Sequence, residues 1–302
     1  MSGRTGLAVA RSLRALSPAV RRSLLRRLDR LAFLDRSLAA CGQTTYTHAG
    51  RRITVDAGDR VGREMLKNGF TEQPFVALVD RHFTDVEGCF LDIGANLGNY
   101  ALALAPHYRQ TYAFEPNPVS FRLLQQNAHD NPSLAIEPIR MGLSAHTGTA
   151  AFYPNNAGNS GASGLEKKRP GGERIEVEIA RGDDFLPRFA PFVAAIKIDV
   201  EGHELDVLRG LERTIERDRP VIFMEWLTDT MRTKGGFDAL RALLPDYTLL
   251  VPAARGQSGR IKTAAPKHRL TLLTPLAEPH RSKYNLVFCV PRERADAIAT
   301  HG

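Results

Sequence analysis

Phe90-Leu91-Asp92-Ile93-Gly94-Ala95-Asn96-Leu97-Gly98-Asn99, followed by Phe114-Glu115-Pro116-Asn117, is the stretch on which the reading of this 302-residue chain turns. The apolar run Cys89-Phe90-Leu91 predicts a strand, Asp92 with Gly94 and Gly98 a turn, and Gly98-Asn99 the opening of a helix. Glycine lets a backbone turn tightly and approach a ligand, and the free amides of a helix start are donors to an anionic group. A nucleotide-like ligand is expected. The spacing is D-x-G-x-N-x-G and lacks the second, phosphate-hugging glycine of G-x-G-x-x-G, which argues against a pyrophosphate. A carboxylate inside the turn repels phosphate but balances an ammonium or sulfonium, and S-adenosylmethionine has both. Glu115 ends the next strand 23 residues beyond Asp92, where an acid accepts from two ribose hydroxyls.

Outward from this stretch, short apolar runs alternate with helix-period segments, the pattern of a parallel sheet covered by helices. Strands are expected near 89–93, 111–115, 134–139, 193–198, 220–225, 246–251 and 284–290, and helices over 98–106, 117–128, 203–216 and 236–244. Two irregular insertions interrupt the pattern: the small, polar run within 154–174, and 252–283, with seven Lys or Arg against Glu278. Either is a lid over substrate or a passive connection. The chain divides into a basic amphipathic helical extension (1–44), a cover segment (45–87), a cofactor-binding domain (88–292) and a short tail (293–302).

The formal charge of +8 would ordinarily suggest a polyanionic partner. Residues 1–36 carry +7 of it, however, leaving the main domain nearly neutral, so no nucleic acid is expected. Val20, Leu24, Leu28 and Leu31 recur at helical spacing among arginines, which raises peripheral membrane contact through residues 17–36, beside packing on the main domain. Cys41, Cys89 and Cys289 are scattered without a CxxC pair, and no apolar run approaches the roughly 18 residues of a membrane span; a cytoplasmic setting is expected. Oligomeric state is not legible.

Phe90 to Tyr100, Ala113 to Pro118, Gly142-Leu143-Ser144 and Ile196-Lys197-Ile198-Asp199-Val200-Glu201-Gly202-His203-Glu204 resemble, in order, the motifs of FkbM-type methyltransferases over roughly residues 45–290. The resemblance implies an α/β fold of the class I methyltransferase kind, a Rossmann-like doubly wound sheet of seven strands with a reversed last strand, Tyr284 to Val290. It also implies S-adenosylmethionine as methyl donor and a hydroxyl of a sugar, glycolipid or secondary metabolite as acceptor. By the same resemblance Asp92, Gly94, Asn96 and Gly98 line the methionine end of the donor, Glu115 its ribose, and Leu143 and Ser144 its adenine. Asn99, Asn117 and Asp199 are counted with the donor-binding residues.

Asp199, Glu201 and Gly202 follow the fourth core strand, at the sheet edge where open α/β folds place ligands. An alcohol must lose its proton as the C–O bond forms, so Asp199, with His203 as second choice, is the expected base. Glu201, Glu225 and Trp226 are expected at the acceptor. The first two could join Asp199 as an oxygen set for a divalent ion, though no metal is assigned. Lys197 either reaches the site or snorkels to a sheet edge. The rivals are a nicotinamide-dependent or non-catalytic Rossmann protein and a nucleic-acid module using the arginine-rich helix.

Overall fold

Alternation of side chains along each strand sends successive apolar residues to opposite faces, and the sheet so formed frames everything else. In the computed structural model the described residues are 8–9, 11–12, 15–16, 33–155, 158–165, 173–186, 192–227, 232–255, 261–262, 272–276 and 283–299. Most of the basic helix expected over 17–36 and of the stretch 252–283 lies outside them.

In chain order, α1 (Phe33–Ala39) leads to a hairpin of β1 (Gln43–His48) and β2 (Arg51–Asp56), then α2 (Arg60–Asn68) and α3 (Gln73–His82). Next come β3 (Asp85–Ile93), α4 (Asn99–Leu104), β4 (Tyr108–Phe114), α5 (Pro118–His129) and β5 (Ile136–Ile139). Three short strands follow, β6 (Gly142–Ser144), β7 (Gly148–Phe152) and β8 (Ile175–Arg181), with the single turn α6 (Gly182–Phe185). The rest runs β9 (Val193–Ile198), α7 (Glu204–Arg209), α8 (Glu212–Asp218), β10 (Val221–Leu227) and α9 (Gly236–Leu243). It ends with β11 (Tyr247–Arg255), β12 (Ile261–Lys262), β13 (Leu272–Pro275), β14 (Lys283–Pro291) and α10 (Arg292–Ala299).

The main sheet has the order β12-β11-β14-β10-β9-β3-β4-β5, with β13 also paired to β11. β5, β4, β3, β9 and β10 are parallel, and β14 enters antiparallel to both β10 and β11. The expected seven-stranded sheet with a reversed last strand is therefore present, extended at one edge by β12 and β13. Phe90, Ala195, Phe223 and Phe288 face one side, where they share a core with the hairpin, α2 and α3. Their neighbours Leu91, Ile196, Ile222 and Val287 face the other, against α7, α8 and α9. No helix among the described residues is long and apolar enough to cross a membrane.

Departures from the expected elements have local causes. The helix expected over 203–216 breaks in two at Gly210-Leu211, where the backbone passes so close to β6 that a Cβ at Gly210 would stand 1.9 Å from the carbonyl oxygen of Ser144. The stretch after 142 is not merely irregular: β6, β8 and β7 form a separate three-stranded sheet, with Tyr153 bridging to Gly164 across the insertion. The hairpin turns through Ala49 and Gly50, both at positive φ, as a two-residue hairpin turn requires. Buried Asn127 of α5 and Asn131 just beyond its end exchange side-chain hydrogen bonds with the backbone of Thr54 and Arg52, completing the free edge of β2.

Helix α2 docks on this hairpin at Gly62, where a Cβ would lie 2.0 Å from the Asp56 carbonyl oxygen. Gly62→Ala is expected to lower the melting temperature by about 3–10 °C, because backbone cannot yield as a flexible side chain does. Thermal unfolding followed by circular dichroism measures it, and an unchanged midpoint would show that α2 is free to shift.

Candidate active site

The turn after β3 alternates left-handed residues, Gly94 (φ 76), Asn96 (φ 52) and Gly98 (φ 94), so the chain reverses within five residues before α4 begins. Gly94 is obligatory: a Cβ there would stand 1.9 Å from the carbonyl oxygen of Asp199. This turn and the turn after β9 are thus interlocked backbone to backbone, and the amide of Asp199 donates to Ile93.

Glu115, buried at the end of β4, braces the same turn. Its Oε2 accepts from the amide of Asn96 and its Oε1 from the amide of Asn117, both at 2.8 Å. Burial pushes its carboxyl up to about 7 against those two donors. Asn117 does not reach the cleft, since its side chain caps α5 by accepting from Val119.

Asp92 departs from expectation. It is wholly enclosed and lines neither of the cavities described below; its Oδ2 accepts from the amide of Ala101 and its Oδ1 lies 3.4 Å from Lys197 Nζ. The positive charge it balances is the protein's own lysine. Asp92 and Lys197 are direct partners on adjacent strands, on the face that also carries Phe90 and Phe223. Lys197 donates to the Gly94 carbonyl at 2.8 Å, lies 3.8 Å from Asp199 Oδ2, and sits 5.4 Å from the centre of the Tyr100 ring. Burial lowers its ammonium, but Asp92 and Asp199 outweigh burial and leave it above its usual value.

Two cavities open along this edge. The larger, about 500 Å³, receives Asn99, Lys197 and Glu225 from the sheet side and residues of α2 and of the turn to α3 from the other. The smaller, about 80 Å³, lies between Glu115, Leu143 and Val200 on one wall and Gly161, Ser163 and Leu165 on the other. They share Gly94, Asn96, Gly161, Asp199 and Glu201, so Asp199, whose side chain is 38% exposed, stands at their junction. Single oxygens of Asp199, Glu201 and Glu225 lie within 4.8 Å of one another, an arrangement that attracts hydroxyl donors or a hard cation.

Five other expected residues stand away from the cavities or are otherwise engaged. Trp226 is buried in the apolar core beside Phe237, not at an acceptor wall, because Glu225 faces the cavity and its neighbour must face away. His203 lines the smaller cavity, but its Nε2 is 2.9 Å from Ser144 Oγ and its Nδ1 3.3 Å from Asp206. Both ring nitrogens of His203 thus have side-chain partners within the protein, whereas Asp199 stands at the junction of the cavities. Ser144, fully buried, holds this imidazole. Gly98 serves the backbone turn, and Asn99 exchanges hydrogen bonds with Thr71 while lining the larger cavity.

Residues absent from the expected set complete the site. Asp59 accepts from the amide of Ser160 at 2.6 Å and from its hydroxyl at 3.0 Å, while Asn96 donates to that hydroxyl, so the 158–165 segment is latched over the junction. Glu204 accepts from the amides of Val200 and Gly202, and burial pushes its carboxyl up to about 8. No pattern near residue 59 points to a partner 101 positions away, whereas Glu204 stood in the quoted motif.

Residues 92–249 match the methyltransferase FkbM domain. Hexuronic acid methyltransferase AglP of Haloferax volcanii is 33% identical over 55% of this chain and 66% of its own length. Methyltransferase sdnD of Sordaria araneosa is 30% identical over 55% of this chain and 80% of its own. This chain therefore spans slightly less than two thirds of the Haloferax relative. Among solved structures, a methyltransferase FkbM from Methylobacillus flagellatus shows a loose likeness, with a TM-score of 0.43 and 16% identity over 67% of this chain and 43% of that one.

Two outcomes follow from the buried charges. Lys197→Met leaves Asp92 enclosed without its cation and is expected to cost about 10 °C of melting temperature, most of which Asp92→Asn in the same chain restores. Failure of the double variant to recover would show that the pair is not coupled. Glu115 and Glu204 hold protons more tightly when folded than unfolded. Their contribution to stability is therefore full below about 4.5, falls as pH rises through the interval up to about 8, and is gone above it. Glu204→Gln should make that fall shallower in melting curves of the unliganded protein, and parallel curves would exclude Glu204 as the titrating group.

Proposed function

Because the chain belongs to the FkbM methyltransferase family, we propose that it moves a methyl group from S-adenosylmethionine to a hydroxyl of a sugar-like molecule or secondary metabolite. The observation that carries this reading is the junction of two cavities at Asp199, one small and bounded by Glu115, the other large and polar.

S-adenosylmethionine supplies an electrophilic methyl group on a sulfonium centre. The smaller cleft suits it. Each oxygen of Glu115 takes one backbone amide and keeps a lone pair for a ribose hydroxyl. Leu143 offers an apolar wall for adenine, and the Gly94–Asn96 turn approaches the methionine end. At about 80 Å³ the cleft is tighter than the roughly 300–1,000 Å³ of pockets that enclose small molecules, so loading requires the 158–165 segment to lift.

Asp199 takes the hydroxyl proton as the C–O bond forms, held in place through Lys197 and the interlocked turns. The larger cavity, with Asn68, Thr71, Gln73 and Asn99 beside several acids, suits a polyhydroxylated acceptor, in keeping with the hexuronic acid named for the Haloferax relative. Calorimetry should detect binding of S-adenosylhomocysteine but not of NAD. Charge-assisted hydrogen bonds contribute about 1.5–3 kcal/mol, so Glu115→Ala should weaken that binding roughly 10- to 150-fold. Unchanged affinity would refute the role of Glu115.

A further inference from the structure

Helix α2 lies before the residues that match the family domain, yet it turns a polar stripe into the larger cavity. Arg60, Glu64 and Asn68, spaced four apart on one face, all line it, while Met65 and Leu66 face the core. The stripe is held rigidly. Lys67, with only 3% of its side chain exposed, pairs with Glu64 Oε1 at 2.8 Å, and a buried ammonium cannot give up that partner cheaply. Asn68 Nδ2 gives both its hydrogens to Glu64, one to Oε2 at 3.1 Å and one to the backbone carbonyl at 3.0 Å, and Gln73 Nε2 donates to the Asn68 carbonyl at 2.8 Å. Glu64, 42% exposed, is thereby fixed as an acceptor at the cavity surface, with Arg60 as a donor on one side and the Oδ1 of Asn68 as a second acceptor on the other.

Resting on the methyltransferase reading above, we infer that this stripe is the acceptor-selecting wall. Glu64, Asn68 and Arg60 read the hydroxyls of a sugar ring, while the family domain supplies donor binding and the base. The carboxylate and the carboxamide oxygen take hydroxyl hydrogens while the guanidinium gives them, so a fixed row of two acceptors beside a donor discriminates among ring hydroxyl patterns that an apolar wall cannot distinguish. Because the row is preorganised, an acceptor that fits it pays little ordering cost.

The experiment measures transfer of labelled methyl from S-adenosylmethionine to methyl glucopyranoside, methyl galactopyranoside and their uronates, alongside calorimetry with S-adenosylhomocysteine. Glu64→Gln alone removes an ion-pair partner of buried Lys67, so the informative variants are Asn68→Ala and the pair Glu64→Gln with Lys67→Met. Each is expected to raise KM for the preferred glycoside about tenfold or change which glycoside is preferred, with kcat within about threefold and S-adenosylhomocysteine affinity within about twofold. Unchanged KM and preference in both folded variants overturn the wall and leave the methyltransferase reading standing. Equal loss of S-adenosylhomocysteine affinity also overturns it, since the stripe would then act through the donor cleft. No transfer to any glycoside by the unaltered protein, despite S-adenosylhomocysteine binding, overturns both the sugar reading and this assignment.

Discussion

One enclosed ammonium, Lys197 Nζ, holds the working edge of the sheet together. It ties the Gly94 carbonyl, the Asp92 carboxylate and the Asp199 carboxylate into one group at the ends of two neighbouring strands. Removing a charge from water is costly, and the cost is offset only if its partners stay in place. The turn after β3 and the turn after β9 are therefore fixed relative to each other both sterically, through the Gly94 contact with Asp199, and electrostatically. A site that must align two reactants to within a fraction of an ångström gains from such a fixed corner.

Around that corner the tasks divide by chain segment. The matched domain provides the strands, the glycine turn and the acids at the sheet edge. Helix α2 and the turn into α3 close the larger cavity, and together with the hairpin they share the aromatic core of one sheet face with Phe90, Phe223 and Phe288. Core packing and site construction are the same act here: the apolar side of α2 buries against the sheet and carries its polar stripe to the cavity.

The strands were legible because β3, β9 and β10 are apolar, short and bounded by turn residues, and the Asp92 to Asn99 stretch signalled the tight turn after β3 directly. Glu115 was legible from its place at a strand end. The hairpin was not, because its turn uses Ala49 where Asn or Asp would have signalled left-handed backbone. The three-residue strand β6 is too short to show a period. Asp92 was assigned to the ligand because sequence shows a charge but not its nearest partner, and Lys197 lies 105 residues later. Trp226 was misplaced for a simpler reason: alternation permits only one of Glu225 and Trp226 to face the cavity.

Asp59 performs two duties at once. It caps the helix that carries the polar stripe, accepting from Val61, and it grips Ser160 over the smaller cavity. Any ligand that lifts the segment must release a carboxylate that also anchors the start of α2. The two cavities are thereby joined through one side chain, and a movement of the segment over the smaller is carried to the start of the helix that lines the larger.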